Sequence, residues 1–295
     1  MIKHVKTLAA CLSTLLLAGC AASPTPAPTT TRYHVAMIAK STSTEFWSAV
    51  FAGAEAAATE YNMDLTITGS ESEEDYSTQN DLIEKAVEEG AQAIIFSASD
   101  YQQNAASIDA AADKGVRIVV VDSAVNSSKV SAYVGADNYG AGQMAAKSAL
   151  ENVEGPLHVG LVSYNVNSPN AQENARAETL TMLARHPEIN VLISFNEAVS
   201  VGAAQAVSDL DRADDLWMVA FDSNITTVDA LHTGAVDAMV VQNTYGMGYF
   251  SVENAYKLLA GQGSDVTRET ETATRIIDRS NIFALDGQKA VFPFE

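Results

Sequence analysis

Cysteine and basic residues are both scarce in this chain. Its 295 residues include two cysteines, Cys11 and Cys20, and Cys11 falls in an N-terminal stretch that we expect to be cleaved off. The mature chain would then keep one cysteine, which excludes an internal disulfide. Lysine and arginine number 17 against 37 acidic residues, a net charge of −20. Without a basic cluster, nucleic acid is excluded as a partner.

Catalytic and metal-binding motifs are also missing. The chain has no Walker motif, no CxxC pair, no HExxH helix and no G-x-S-x-G turn. Its five histidines are scattered: His4, His34, His158, His186 and His232. We therefore predict that the protein is not an enzyme and has no catalytic residue, cofactor or bound metal.

The N-terminus has the order of features of a secretory signal. Basic "MIKHVK" precedes apolar "TLAACLSTLLLAG", which is too short for an ordinary membrane-spanning helix. "LAGC", ending at Cys20, resembles a bacterial lipobox, which implies a signal peptide over 1–19 and a diacylglycerol on the Cys20 thiol. The alternative is an ordinary signal with a chance cysteine. Residues 20–31 are rich in Pro and Thr and are interpreted as a tether.

From Tyr33 onward, apolar strands alternate with helices, several of which end at glycine. This pattern predicts an α/β fold of doubly wound parallel sheets. A first series ends near Gly135–Asn138, and a second begins there, so we predict two similar lobes. The predicted strands are 33–39, 63–69, 91–99, 116–123, 157–164, 190–195, 216–221, 236–242 and about 273–277. The predicted helices are 46–61, 76–90, 101–115, 138–155, about 170–186, 197–210, 224–233 and 245–261.

Polar side chains follow five of these strands. They are Lys40, Asp122 with Ser123, Asn196, Asp222 and Gln242. Ligands of open parallel sheets bind beyond the carboxyl ends of the strands, so we expect a polar site between the lobes. Carboxylates and amides suit the hydroxyl groups of a sugar. The adjacent aromatics Phe46 and Trp47, at the start of the first helix, offer flat surfaces for a sugar ring.

Each of these residues also has a structural interpretation. Asp122, Asp222 and Asn196 could cap the helices that follow them. Phe46 and Trp47 could belong to the core, since aromatics dominate core burial. Lys40 could be solvated or could pair with Glu45. The sequence alone leaves these alternatives open.

Longer segments carry a family resemblance. "KSTSTEFW", "VVVDS", "YVGADNYGAG", "NSPNAQENAR", "VAFDSN" and "VVQNTYGMGY" resemble segments of the periplasmic sugar-binding proteins of the ribose- and galactose-binding type. The resemblance implies two lobes joined by a three-segment hinge that closes on the ligand. The N-terminal lobe would comprise 32–136 plus 243–271, and the C-terminal lobe 137–242 plus 272–295.

The resemblance also assigns binding roles. It implies that Phe46 and Trp47 sandwich the sugar and that Lys40 and Thr44 are polar neighbours. The hydroxyl-binding positions would be Asp122, Asn196, Asp222 and Gln242. In the ribose-binding members of this family an arginine follows the first aspartate, and in this chain Ser123 stands at that position after Asp122. The position of a second family arginine is held by either Asn174 or Arg176.

One family segment is missing. The chain runs directly from "QENAR" to "MLARHPE", so the second lobe is expected to lack one strand and one helix at a sheet edge, which would expose an apolar flank and weaken stability or binding.

The implied function is a lipid-anchored, periplasmic or cell-surface protein that captures a monosaccharide (a pentose, hexose or related polyol) for the permease of an ABC importer. The alternative is a module that presents a sugar to a membrane chemoreceptor or histidine kinase.

Overall fold

A computed structural model describes residues 32–73, 75–163 and 171–292 of the chain. The predictions for the signal peptide, the tether and Cys20 therefore lie outside the described residues. Within the described part, the chain forms strands and helices in near-strict alternation. No helix in this part is long and apolar enough to span a membrane.

In the described part of the chain, the first sheet is parallel and has six strands. Five come from the first half of the chain, and the sixth, β10 (Glu269–Thr272), comes from near its end, in the order β10-β5-β4-β3-β1-β2. Its core strands, such as β3, are wholly apolar and buried because helices cover both faces. The elements of this region are β1 His34–Ala39, α1 Glu45–Glu60, β2 Asp64–Gly69, α2 Tyr76–Glu88, β3 Ala93–Phe96, α3 Ala105–Asp113, β4 Arg117–Val121 and β5 Ala132–Ala136.

Among the described residues, the second sheet has five strands in the order β11-β9-β8-β7-β6, and of these β11 alone is antiparallel. Its elements are α4 Asn138–Asn152, β6 Val159–Val162, α5 Ala171–Arg185, β7 Val191–Ser194, α6 Glu197–Asp209, β8 Trp217–Phe221, α7 Ile225–Thr233 and β9 Ala238–Gln242. The C-terminal elements are α8 Thr244–Leu259, β10 Glu269–Thr272, β11 Thr274–Asp278 and α9 Leu285–Val291. The predicted fold class, two doubly wound sheet lobes, is confirmed.

Over the residues that the structure describes, the chain passes between the two sheets three times. It crosses from β5 to α4 around Asp137, from β9 to α8 around Asn243, and from β10 to β11 around Ala273. Asp137 and Asn243 each cap the helix that follows, because their side-chain oxygens accept the N–H groups of Gly140 and Gly246. The crossings therefore connect regular elements without long loops.

Helix α8 returns to the first sheet and packs against α1 at very short range. Gly53 of α1 lies against the backbone of Tyr245, and Gly248 of α8 lies against the backbone of Val50 and Ala54. A methyl group at either glycine would overlap a carbonyl oxygen of the other helix. This contact fixes the start of α8, and with it the crossing that follows β9.

Strand β6 forms an open edge of the second sheet. Among the described strands it pairs with β7 alone. Its side chains alternate between buried and exposed, and Val159 and Leu161 are 48% and 60% exposed. This is the apolar flank expected where the second strand of the usual order is missing.

Candidate functional site

A cavity of about 480 Å³ opens where the carboxyl ends of the two sets of strands face each other. Its size lies within the range of small-molecule pockets, roughly 300–1,000 Å³. Nine of the predicted binding residues line it: Lys40, Thr44, Phe46, Trp47, Asp122, Ser123, Asn196, Asp222 and Gln242. The strand-end pattern thus converges on one space, as the topology of open parallel sheets requires.

Two aspartates occupy equivalent positions in the two lobes. Asp122 directly follows β4, and Asp222 directly follows β8. Both have left-handed backbone conformations, with φ of 61° and 64°. Such a conformation costs a non-glycine residue about 1–2 kcal/mol, and retained strain of this kind is concentrated at functional sites. Neither aspartate caps a helix, since α7 is capped by Asn224 and a strand follows Asp122.

The Asp122 carboxylate is held by two serine hydroxyls. Ser123 Oγ donates to Asp122 Oδ2 at 2.9 Å, and Ser97 Oγ donates to the same oxygen at 3.3 Å. Burial raises the pKa of Asp122, while the nearby Lys40 ammonium opposes that rise. Ser123 therefore orients the neighbouring carboxylate as well as lining the cavity.

Asp222 is more buried, with 7% of its surface exposed. Gln242 Nε2 donates to its Oδ1 at 2.8 Å. The pKa of Asp222 is raised to about 7, chiefly by burial and in smaller part by the charges of Asp122, Glu197 and Glu73, while the hydrogen bond from Gln242 opposes the rise. The carboxyl group can accordingly gain or lose its proton near neutrality.

The adjacent aromatics point in different directions. Trp47 is 1% exposed, packs in the first-lobe core against Phe51, and donates its indole N–H to Glu73 Oε1 at 3.0 Å. Phe46 packs edge-on against Trp47 and lines the cavity. Adjacent residues on a helix point about 100° apart. The Phe46 ring therefore forms part of the cavity wall, and the Trp47 ring packs behind it. Phe195 and Phe221 add an apolar surface from the second lobe.

Glu197 connects the two lobes across the cavity. It begins α6, and its carboxylate accepts the N–H of Phe46 at 2.9 Å and the N–H of Glu45 at 3.4 Å, in the first turn of α1. A carboxylate at a helix N-terminus is stabilised by the free N–H groups and the helix dipole. Burial nevertheless raises the pKa of Glu197.

Residues 35–177 and 171–263 match the family described as a periplasmic binding protein domain. The chain belongs to the periplasmic binding protein family. Its predicted resemblance to the sugar-binding members is thereby confirmed at the level of the family. Solved structures of sugar-binding proteins share the fold of this chain.

Relatives of this periplasmic binding protein include a D-ribose/D-allose-binding protein of Pseudomonas aeruginosa. It is 32% identical over 90 residues, which cover 30% of this chain and 28% of that relative. A carbohydrate transporter solute-binding protein from Agrobacterium radiobacter, solved with D-arabinose, is 21% identical with a TM-score of 0.82, over 89% of this chain and 99% of its own. A sugar transporter structure from Clostridium phytofermentans is 27% identical with a TM-score of 0.75, over 84% and 100%.

Several polar residues at the cavity of this binding protein have a structural role too. Thr44 caps α1, and Asn196 caps α6 by accepting the N–H of Val199 at 2.9 Å. The helix-cap alternative thus applies to Asn196, although its amide group still lines the cavity. Lys40 does not pair with Glu45; its Nζ lies 3.6 Å from Glu73 Oε2.

Asn174 and Arg176 are not placed at the cavity. Both lie on α5, where Ala175 and Thr179 face the core, so the positions on either side of Ala175 face outward. Arg176 Nε donates to Asp209 Oδ2 of α6 at 2.7 Å on the protein surface. The structure therefore corrects the predicted placement of these two residues in the binding site.

Replacing Arg176 with alanine is expected to leave ligand affinity unchanged, within about twofold, because the ion pair with Asp209 lies outside the cavity. Its effect on stability should be small, since exposed ion pairs contribute about 0–1 kcal/mol. Isothermal titration of the variant and the unaltered protein checks both affinity and active fraction. A tenfold loss of affinity would place Arg176 back among the binding residues.

Sequence reasoning missed Glu73 and Glu197 as parts of the cavity. Glu197 follows Asn196 and has the ordinary signature of an acidic first helical turn. Its contact with α1 of the other lobe depends on how the lobes face each other. Glu73 lies in a loop after β2, and its link to Trp47 and Lys40 has no sequence signal.

The free energy of unfolding of the ligand-free protein is expected to fall as pH rises from about 4 to about 7. In that window folded Asp222, with its pKa raised to about 7, holds a proton that the unfolded chain has released. Asp122, Glu197 and Asp237 have raised pKa values and act in the same direction. Urea denaturation over a pH series measures the fall, and Asp222→Asn should flatten it. An equally steep fall in the variant would contradict the assignment.

Proposed function

We propose that this protein captures a monosaccharide, a pentose, hexose or related polyol, in the cavity between its lobes for delivery to the permease of an ABC importer. The observation that carries the proposal is the pair of strained aspartates, one from each lobe, that line a single cavity together with Phe46. Paired carboxylates accept hydroxyl hydrogens in charge-assisted bonds, and an aromatic ring packs on the C–H face of a sugar.

The relatives support the same ligand class. One is named for D-ribose and D-allose, and another was solved with D-arabinose. In this chain the amides of Gln242 and Asn196 supply donors for ring oxygens and hydroxyls. Capture by two lobes also explains why the binding residues come from strands of both sheets.

Lipid attachment at Cys20 and an extracytoplasmic location complete the proposal. They rest on the lipobox-like "LAGC" and the apolar stretch before it. An acyl chain on Cys20 would hold the protein near its permease. Cys20→Ala should move the protein from the membrane fraction to the soluble fraction, and an unchanged membrane fraction would remove the anchor from the proposal.

A thermal-shift screen of pentoses, hexoses and polyols tests the binding function. A ligand at a hundredfold excess over its Kd stabilises the folded state by about 2.7 kcal/mol. We expect at least one neutral monosaccharide or closely related sugar to raise the unfolding temperature, with one-to-one stoichiometry in a following titration. No shift with any sugar, from protein shown to be folded by circular dichroism, would refute the proposal.

A further inference from the structure

The cavity has a strong excess of acidic side chains over basic ones. Its carboxylates are Glu71, Glu73, Asp122, Glu197 and Asp222. Lys40 is the one cationic side chain among its described lining residues, and it already lies against Glu73. A neutral sugar would leave this imbalance uncorrected when it displaces water from the cavity.

Asp222 is the acidic side chain around which the other acidic residues of the cavity are grouped. This side chain is more than nine-tenths buried, and its Oδ1 accepts from Gln242. Its other oxygen, Oδ2, receives no hydrogen bond from residues 32–73, 75–163 or 171–292. Asp122, Glu197 and Glu73 all act on it with repulsive charge. Oδ2 therefore keeps hydrogen-bonding capacity for a donor that enters the cavity.

The residues of the cavity limit which kind of ligand could donate a hydrogen bond to Asp222. Among the described residues, no group of three or more His, Cys, Asp or Glu side chains is placed to hold a metal ion. A bulky cation without hydroxyl groups would offer no acceptor to the amide N–H groups of Asn196, whose oxygen caps α6. An ammonium group on a polyhydroxylated ring meets both requirements, because it supplies positive charge and three donors beside hydroxyl groups.

We infer that the ligand of this cavity is an amino sugar, whose ammonium group donates to Asp222 and Asp122 while its ring packs on Phe46. The inference rests on the proposed sugar-binding function and narrows its ligand class. Ser123 fits this assignment: it donates to the Asp122 carboxylate and adds no positive charge beside it. The surface position of Arg176 leaves the negative charge of the cavity uncompensated in the same way.

The test compares matched ligands on the full mature protein by isothermal titration at about pH 7.3, below the pKa of an α-amino group, about 7.7–8.0, and above the pKa of about 7 of Asp222. The probes are D-glucosamine and D-galactosamine, their neutral parents D-glucose and D-galactose, and the N-acetyl derivatives. We expect at least one amino sugar to bind about tenfold tighter than its parent and its N-acetyl form. Asp222→Asn should reduce that preference to about twofold or less.

The two proposals fail in different ways. If a neutral sugar binds as tightly as its amino counterpart, the amino-sugar inference is overturned and the sugar-binding function stands. If the N-acetyl derivative binds as tightly as the amine, bulk rather than charge is recognised, and the inference is again overturned. If a pentose or polyol from the thermal-shift screen binds and neither amino sugar does, the amino-sugar inference is likewise overturned, and only the failure of every sugar in both experiments removes the sugar-binding function.

Discussion

Asp222→Asn is expected to weaken sugar binding about tenfold to hundredfold, because hydrogen bonds to a charged group contribute about 1.5–3 kcal/mol. Asparagine keeps the volume of the side chain and tolerates the left-handed backbone at φ 64°. It can still accept a hydrogen bond from Gln242. Above about pH 7, where Asp222 is ionised, the substitution therefore removes the charge at Oδ2 and leaves the fold intact. Isothermal titration with the best sugar from the screen measures the loss.

Asp211→Asn is the matched control. Asp211 has the same backbone conformation, with φ of 52°, but it is exposed in the loop after α6 and does not line the cavity. The control should bind like the unaltered protein. If both variants weaken binding equally, the effect belongs to the backbone conformation and not to the Asp222 carboxylate. Full affinity in Asp222→Asn would remove Asp222 from the site.

Gly248→Ala is expected to lower the free energy of unfolding by about 3 kcal/mol or more, because overpacking a tight contact costs 1–3 kcal/mol and rigid backbone partners leave little room to relax. The added methyl group would overlap the carbonyl oxygen of Val50 on α1. To avoid the overlap, α8 would have to move away from α1 and open the core between them. Chemical denaturation, monitored by circular dichroism, measures the change.

Gly142→Ala provides the comparison. Gly142 lies in α4, and a methyl group there meets nothing within 4 Å. The free energy of unfolding of the Gly142→Ala variant should rise by about 0.5–1 kcal/mol, from helix propensity alone. A Gly248→Ala variant that is as stable as Gly142→Ala would show that α1 and α8 do not approach each other as closely as described here.

The alternation of strands and helices could be predicted because its cause is local. Apolar runs such as β3 and β8 are continuous since both sheet faces are covered, and glycines with positive φ, such as Gly90 and Gly115, end helices. β5, β10 and α9 were missed. β5 runs into the predicted boundary between the two series at Gly135. β10, "ETET", is polar and lies at a sheet edge, so it lacks the apolar signal of a buried strand.

The candidate site could be predicted where the topology dictates it. Asp122, Asp222 and Gln242 follow strand ends, and parallel sheets bring strand ends together. Which of the two rings lines the cavity and which is buried in the core depends on the rotation of α1 relative to its sheet. The adjacent residues Phe46 and Trp47 do not by themselves determine that rotation. The prediction that placed Arg176 in the binding site was wrong. It rested on matching this position to a family arginine, and such a match does not determine which face of α5 turns inward.

A crystal structure of the protein with its best-binding sugar tests the central claim most directly. The claim is that one ligand is held jointly by both lobes. We expect the sugar ring against Phe46, with polar ligand atoms within hydrogen-bonding distance of both Asp122 and Asp222. A ring bound outside this cavity, or one held by a single lobe with either aspartate unengaged, would contradict the account.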